Sequence, residues 1–385
     1  MRWAKRNKLR LGLLRVAGRA LAPAVRRPTR PAERILLLRP DHIGDVLLTA
    51  PAVALLRASL PAAHLTYVVG PWSLAVARHG PPVDSLRTLS YPGFTRRPRQ
   101  HAIAPYLLLA RHATLLRRQG YDLAVIFRPD HWWGALLALA AGIPVRVGGA
   151  TPETRPLLTH VQATSGSHAV DQARGMARLA LGALNTTPVE PANPVAFRNT
   201  PQASEAAASL WRRLALGDQR VVAIHPSAGA PLKSWPVERW AGLADALRDD
   251  GLAVVLVGAP EDGPLLSAIA ARTSQPPPVL HGQSLEVSAA IYQRSAIVVA
   301  PDSGAAHLAG AVGRPTVRLY GPAPPATFGP WPPRPDQRVL ISTRLACVPC
   351  GDLQAPPCGA RALPACMLAL GVGDVLNAVR AQIDP

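Results

Sequence analysis

Four loops in this chain carry most of the side chains that could move protons or hold phosphate. The first is Arg39-Pro40-Asp41-His42-Ile43-Gly44-Asp45, which leaves an apolar run at Leu38 and enters a helical pattern at Val46. Gly44 lets the backbone turn tightly. Asp45 then stands at or near a helix N-terminus, where a carboxylate either caps the helix or serves as an acid–base group. Asp41 and His42 add more ionisable groups than a cap needs.

The other three loops lie in the second half. His225-Pro226-Ser227-Ala228-Gly229-Ala230, followed by Lys233-Ser234-Trp235-Pro236, sets small residues after a strand. Backbone N–H groups can then approach a phosphate, with the Lys233 charge beside them. Val257-Gly258-Ala259-Pro260-Glu261-Asp262 places two acids beyond a strand end, and either could grip a ribose hydroxyl. Pro301-Asp302-Ser303-Gly304-Ala305-Ala306-His307 reads as a strand end, a tight turn and a helix start. Unpaired N–H groups and the helix dipole make such a turn an anion site. Each loop alone matches an ordinary strand-to-helix turn; three in succession point to a nucleoside-diphosphate site.

Such loops need parallel strands behind them. Continuous apolar runs at 34–39, 65–69, 121–127, 221–225, 253–258, 296–300 and 316–320 predict buried parallel strands, with a weaker one at 86–90. Helical patterns at 46–56, 103–118, 132–141, 237–248, 264–272, 285–293 and 372–381 alternate with them. This specifies an α/β chain. Residues 185–203, rich in Asn, Thr and Pro, break the alternation and read as a linker. The organisation is therefore a basic extension at 1–33, a first domain at 34–195 and a second at 196–385. The second carries a Cys-rich segment at 347–366 and a closing helix. Two Rossmann-like halves outline an enzyme with its cleft between them.

Together these pieces resemble the ADP-heptose:lipopolysaccharide heptosyltransferase family over nearly all of residues 34–380. The resemblance is carried by Arg39 to Asp45 with the following Val-Leu-Leu-Thr-Ala-Pro-Ala, and by Lys233-Ser-Trp-Pro-Val-Glu-Arg-Trp. Pro301-Asp-Ser-Gly-Ala-Ala-His-Leu-Ala, Leu319-Tyr-Gly-Pro and Phe328-Gly-Pro complete it. It implies a GT-B fold and inverting transfer of a sugar, by default a heptose, from a nucleotide-diphosphate donor without a catalytic metal or other cofactor. Asp45 would be the general base, with Arg39, Asp41, His42 and Gly44 on the acceptor side. Ser227, Lys233, Glu261, Asp302, Ser303, Gly304, Ala305 and His307 would bind the donor. The acceptor would be a lipopolysaccharide-core or related phosphorylated glycolipid. The basic extension before residue 34 is not part of the family pattern.

Charge and cysteines add partners. The net charge is +19, and residues 1–34 hold eleven cationic side chains against Glu33 alone. This arm favours an anionic partner, either as an interfacial helix with Leu13, Leu14, Ala17, Ala20 and Leu21 on one arc or as a solvated tail. Arg96, Arg97 and Arg99 either meet acceptor phosphates or are solvated charge. No apolar run reaches the ~18–20 residues of a spanning helix, so the expected location is cytoplasmic and peripheral at the inner membrane face. Cys347, Cys350, Cys358 and Cys366 lie within twenty residues and fit either a structural zinc, expected away from the chemistry, or free thiols. Two rivals remain: a nucleotide-sugar epimerase of the same fold, and a nucleic-acid-binding protein. Aromatic content of 5% speaks against the second, because single-strand binding needs stacking platforms.

Overall fold

Ile35 to Leu38 carries no polar side chain and must be covered on both faces. In the computed structural model it forms the heart of strand β1 (Arg34–Arg39), with all four side chains fully buried. The structure describes residues 11–18, 33–95, 101, 103–163, 168–192 and 197–383. The chain divides into two compact units, Met1–Val195 and Ala196–Pro385.

The strands of the first unit are β1, β2 (His64–Val69), β3 (Ser85–Thr88), β4 (Leu123–Ile126), β5 (Val145–Gly149) and β6 (His160–Gln162). They pair in parallel in the order β3-β2-β1-β4-β5-β6. The crossovers use α2 (Ile43–Ser59), α3 (Leu74–Arg78), α4 (Ala104–Gln119) and α5 (Trp132–Ala140), and α6 (Ala169–Ala183) packs on α2. Residues 11–18 form a further helix, α1, whose Leu14 is buried against Ala135, Leu139 and Leu157. Leu13 and Val16 point outward, 61% and 65% exposed, and Ala20 and Leu21 of the expected apolar arc lie outside the described residues. Residues 1–10 and 19–32, and Arg96, Arg97 and Arg99, lie outside the described residues.

The second unit repeats the winding with β7 (Val221–Ile224), β8 (Ala253–Gly258), β9 (Val279–His281), β10 (Ile297–Pro301), β11 (Thr316–Tyr320) and β12 (Gln337–Ile341). Its order is β12-β11-β10-β7-β8-β9, all parallel. Counted within each unit, both sheets read 3-2-1-4-5-6, the order of a dinucleotide-binding fold. Its helices are α7 (Pro201–Arg213), α8 (Val237–Asp249), α9 (Gly263–Ala270), α10 (Leu285–Arg294), α11 (Gly304–Ala311), α12 (Pro325–Phe328), α13 (Ala365–Leu368) and α14 (Val372–Ile383). The apolar face of α8 and α14 covers the sheet around Trp240, which meets Trp235 edge-on at 4.8 Å. The linker is shorter than its composition suggested. Thr200 caps α7 by accepting from Ala203 N, and Pro201 is the helix's first residue, where a missing N–H costs nothing.

Sheet order now locates the site. Strand succession reverses between β1 and β4 in one unit and between β7 and β10 in the other. Ligands of such sheets settle at the carboxyl ends of the strands flanking that switch point.

Candidate functional site

In the first unit the switch point is lined by the loops after β1 and β4. Arg39 is the last residue of β1 and almost wholly buried. Its guanidinium donates to Phe127 O at 2.8 Å, tying the two strand ends together. It also pairs with Asp41 at 3.0 Å and Asp45 at 3.3 Å. A buried cation with three fixed partners orients two carboxylates at once.

The two acids differ in what they can do. Asp41 is 3% exposed and is clamped by both Arg39 and Arg128. Burial would raise its pKa, but the two guanidinium groups hold it below the ordinary carboxylate range. The backbone carbonyl of Asp41 accepts from Trp72 Nε1 and Ser73 Oγ, so this loop is fixed from both sides. Asp45 keeps its side chain about one-third exposed, in the first turn of α2. The N-cap of that helix is His42, whose side chain makes no capping hydrogen bond and lies 5.4 Å from the Trp72 ring. Asp45 is thus the carboxylate of the pair that a solute can reach.

Sequence reasoning missed the other half of this cluster. Arg128 clamps Asp41, pairs with Asp130 at 2.6 Å and lies 5.0 Å above the Phe94 ring. The hydroxyl of Tyr67 is buried without a hydrogen-bond partner, and burial pushes its pKa well up despite Arg39 nearby. The available signal was positional. Arg128 and Asp130 directly follow the apolar run of β4, where a charged pair has no packing role.

In the second unit, the loop after β7 carries Lys233 on a short 3-10 turn, Pro231–Lys233. Its Nζ donates to Asp302 Oδ2 at 2.5 Å, and Asp302 sits just beyond β10. The pair bridges the switch point. Asp302 is 5% exposed, and His307 Nε2 lies 3.9 Å from its other oxygen. Ser303 caps α11 by accepting from Ala306 N, which leaves the N–H groups of Gly304 and Ala305 in the first turn. Cation and helix N-terminus together can hold an anion.

The two acids after β8 also part company. Asp262 turns inward, accepting from Ala259 N at 2.8 Å and Ser227 Oγ at 2.9 Å. Glu261 is exposed. Ser227 continues a chain through His225 Nε2 at 3.1 Å to Tyr292, whose hydroxyl meets His225 Nδ1 at 3.1 Å. Ser227 therefore fixes the loop, and Glu261 is the acid left facing outward.

All four cysteines line one cavity of about 20 Å³ together with Leu232 and Pro322. Burial pushes the Cys366 thiol up, and Cys350 and Cys358 add to the effect. Among the described residues no three Cys, His, Asp or Glu side chains are gathered tightly enough to hold a metal ion. The segment packs on the second unit's Lys233 turn. Leu232 belongs to the turn that carries Lys233, and Leu363 N donates to Pro231 O.

Comparison with known proteins follows the same outline. Residues 109–356 match the model of glycosyltransferase family 9 (heptosyltransferase). Lipopolysaccharide heptosyltransferase 2 of Escherichia coli is 26% identical over 302 residues, covering 76% of this chain and 84% of that protein. A glycosyl transferase family 9 structure from Veillonella parvula superposes with a TM-score of 0.74 at 23% identity, over 93% of this chain and 99% of the other. E. coli heptosyltransferase WaaC, solved with ADP-2-deoxy-2-fluoro heptose, gives 0.63 at 21% identity over 90% and 99%.

Proposed function

The chain belongs to glycosyltransferase family 9, the heptosyltransferases, and we propose that it moves a heptose from an ADP-type donor to a phosphorylated glycolipid of the lipopolysaccharide core. The transfer inverts the anomeric carbon and uses no catalytic metal. One observation carries the reading. Each unit brings its own chemistry to its own switch point: a reachable carboxylate held by an arginine in the first, a lysine over a helix N-terminus in the second.

Asp45 takes the proton of the acceptor hydroxyl as its oxygen attacks the anomeric carbon. The bond from that carbon to the diphosphate breaks on the opposite side, and the leaving group gains negative charge. Lys233 and the N–H groups of Gly304 and Ala305 stabilise that charge. His307 adds a donor beside them. Glu261, exposed after β8, grips the ribose. Arg39 orients Asp45, and Asp41, locked by two arginines, positions Arg39 rather than touching acceptor. The enzyme works from the cytoplasmic side. Among the described residues no helix is long and apolar enough to cross a membrane, and the proposed acceptor is reached peripherally.

Among the described residues the four thiols are not gathered tightly enough to hold a metal ion, and they are read as free thiols lining the cavity beside the Lys233 turn. Metal analysis should find no zinc in the purified protein; stoichiometric zinc that is lost in Cys350→Ser/Cys366→Ser would overturn the free-thiol reading.

The decisive test is a calorimetric donor screen followed by transfer assays. Asp45→Asn should bind ADP-heptose as wild type does, yet lose ~10³-fold in kcat. Turnover should need the acceptor and be indifferent to added Mg²⁺. Unchanged kcat in the variant would sink the base assignment. Donor conversion without acceptor would favour the epimerase.

A further inference from the structure

α4 is built in two halves. Its inner face, Leu109, Ala113 and Leu116, is buried on the core of the first unit. Its outer face opens with Ile103, Tyr106 and Leu107, which are 63%, 53% and 63% exposed. Side chains of that size standing together in water are a cost without a partner. Further along the same helix come Arg111, Arg117 and Arg118, and residues 104–119 contain no acid. Among the described residues ten large hydrophobics are exposed. Six of them belong to α4 with its N-cap or to α1, both of which rest on α5, so the exposure is a regional feature.

The place matters as much as the composition. α4 follows β3 in a parallel sheet, so its first turns lie at the carboxyl edge, where Asp45 and Arg128 are. Trp133 Nε1 donates to Pro105 O at 3.0 Å, tying the first turn of α4 to the loop of Arg128, Asp130 and His131. Phe94 fills the space between, 5.5 Å from His131 and beneath Arg128.

We propose that the outer face of α4 docks this chain on an anionic lipid bilayer, with Ile103, Tyr106 and Leu107 entering the headgroup boundary beside the site that receives the acceptor. The inference rests on the glycolipid acceptor proposed above. Apolar side chains joined to acid-free basic charge match an anionic interface. A second copy of the chain fits poorly, because it would set two such cationic helices against each other.

The test uses the full chain and flotation with vesicles of equal parts phosphatidylethanolamine and phosphatidylglycerol, against pure phosphatidylcholine. Wild type should float with the first and not the second. Ile103→Ser/Tyr106→Ser/Leu107→Ser should lower binding about tenfold. Arg111→Gln/Arg118→Gln should weaken it and flatten its salt dependence. Both variants should bind ADP-heptose normally, which shows that they fold and separates docking from the nucleotide-sugar reading. A wild type that transfers no sugar but loses vesicle binding in the triple variant would refute the proposed reaction and leave docking standing. Undiminished flotation of the triple variant overturns docking. So does a wild-type dimer that the triple variant dissolves while flotation persists, since the face is then a contact between copies.

Discussion

Arg318 is sealed inside the second unit at 2% exposure, and its guanidinium is directed at neutral partners. Nε donates to Thr316 Oγ1 at 3.0 Å, one terminal nitrogen to Gln337 Oε1 at 2.6 Å, and the other meets His307 Nδ1 at 3.3 Å. A guanidinium has no acceptor, so Nδ1 of His307 must accept and Nε2 must carry the proton. Arg318 thereby aims an N–H at the Lys233–Asp302 pair without touching substrate. Gly310 makes room for it; a Cβ there would stand 2.5 Å from the guanidinium. Arg318→Met should therefore weaken donor binding by ~10–100-fold while ring nitrogen shifts of His307 report a mixture of tautomers. A single tautomer persisting in the variant would show that something else orients the ring.

At the scale of elements, legibility followed burial. β1, β4, β7, β8, β10 and β11 are buried throughout or nearly so, and their apolar runs mark them as strands in the sequence. β6 and β9 are three residues long, and β6 and β12 are largely half-buried edges, so no run forms and none was expected. β5 was hidden differently. It ends in Gly148-Gly149, which reads as a turn, yet Gly149 is there for close approach. A Cβ on it would sit 2.5 Å from Pro129 Cα and 2.7 Å from Pro129 O, and Pro129 separates Arg128 from Asp130. The sequence revealed the loops after β1, β7, β8 and β10 because their residue types are chemical. The loop after β4 needs the sheet order to acquire meaning. Gly149→Ala should cost about 1–3 kcal/mol of stability and lower acceptor-dependent turnover while donor affinity stays unchanged. Full turnover at normal KM for the acceptor would show that the β4 loop does not shape the site.

For the molecule as a whole, each unit holds an imidazole that its surroundings keep uncharged, and both contribute to acid sensitivity. Burial pushes His131 in the first unit down to about 4, the net result against Asp41, and His225 in the second down to about 4 against Asp262. An unfolded histidine takes its proton near pH 6.5. Between the two values the unfolded chain binds protons that the folded chain refuses, so stability is present above pH 6.5 and drains away as the pH falls to about 4. Each histidine removes on the order of 3 kcal/mol over that window. Both units should weaken together rather than one shielding the other. The two sites differ in what the neutral ring does. His225 is held by Ser227 and Tyr292, whereas both nitrogens of His131 are buried without a partner among Tyr91, Phe94 and Trp133. His131→Phe should thus cost little at pH 7, since it removes two unsatisfied polar atoms from an aromatic pocket. In calorimetric scans between pH 6.5 and 4, the transition of the first unit should lose stability less steeply by about 1.4 kcal/mol per pH unit, one proton's worth. The transition of the second unit should keep its slope, because His225 is untouched. Equal slopes in wild type and variant would mean that His131 is already reached by water in the folded chain, and the buried-imidazole account of acid sensitivity would fail for that unit.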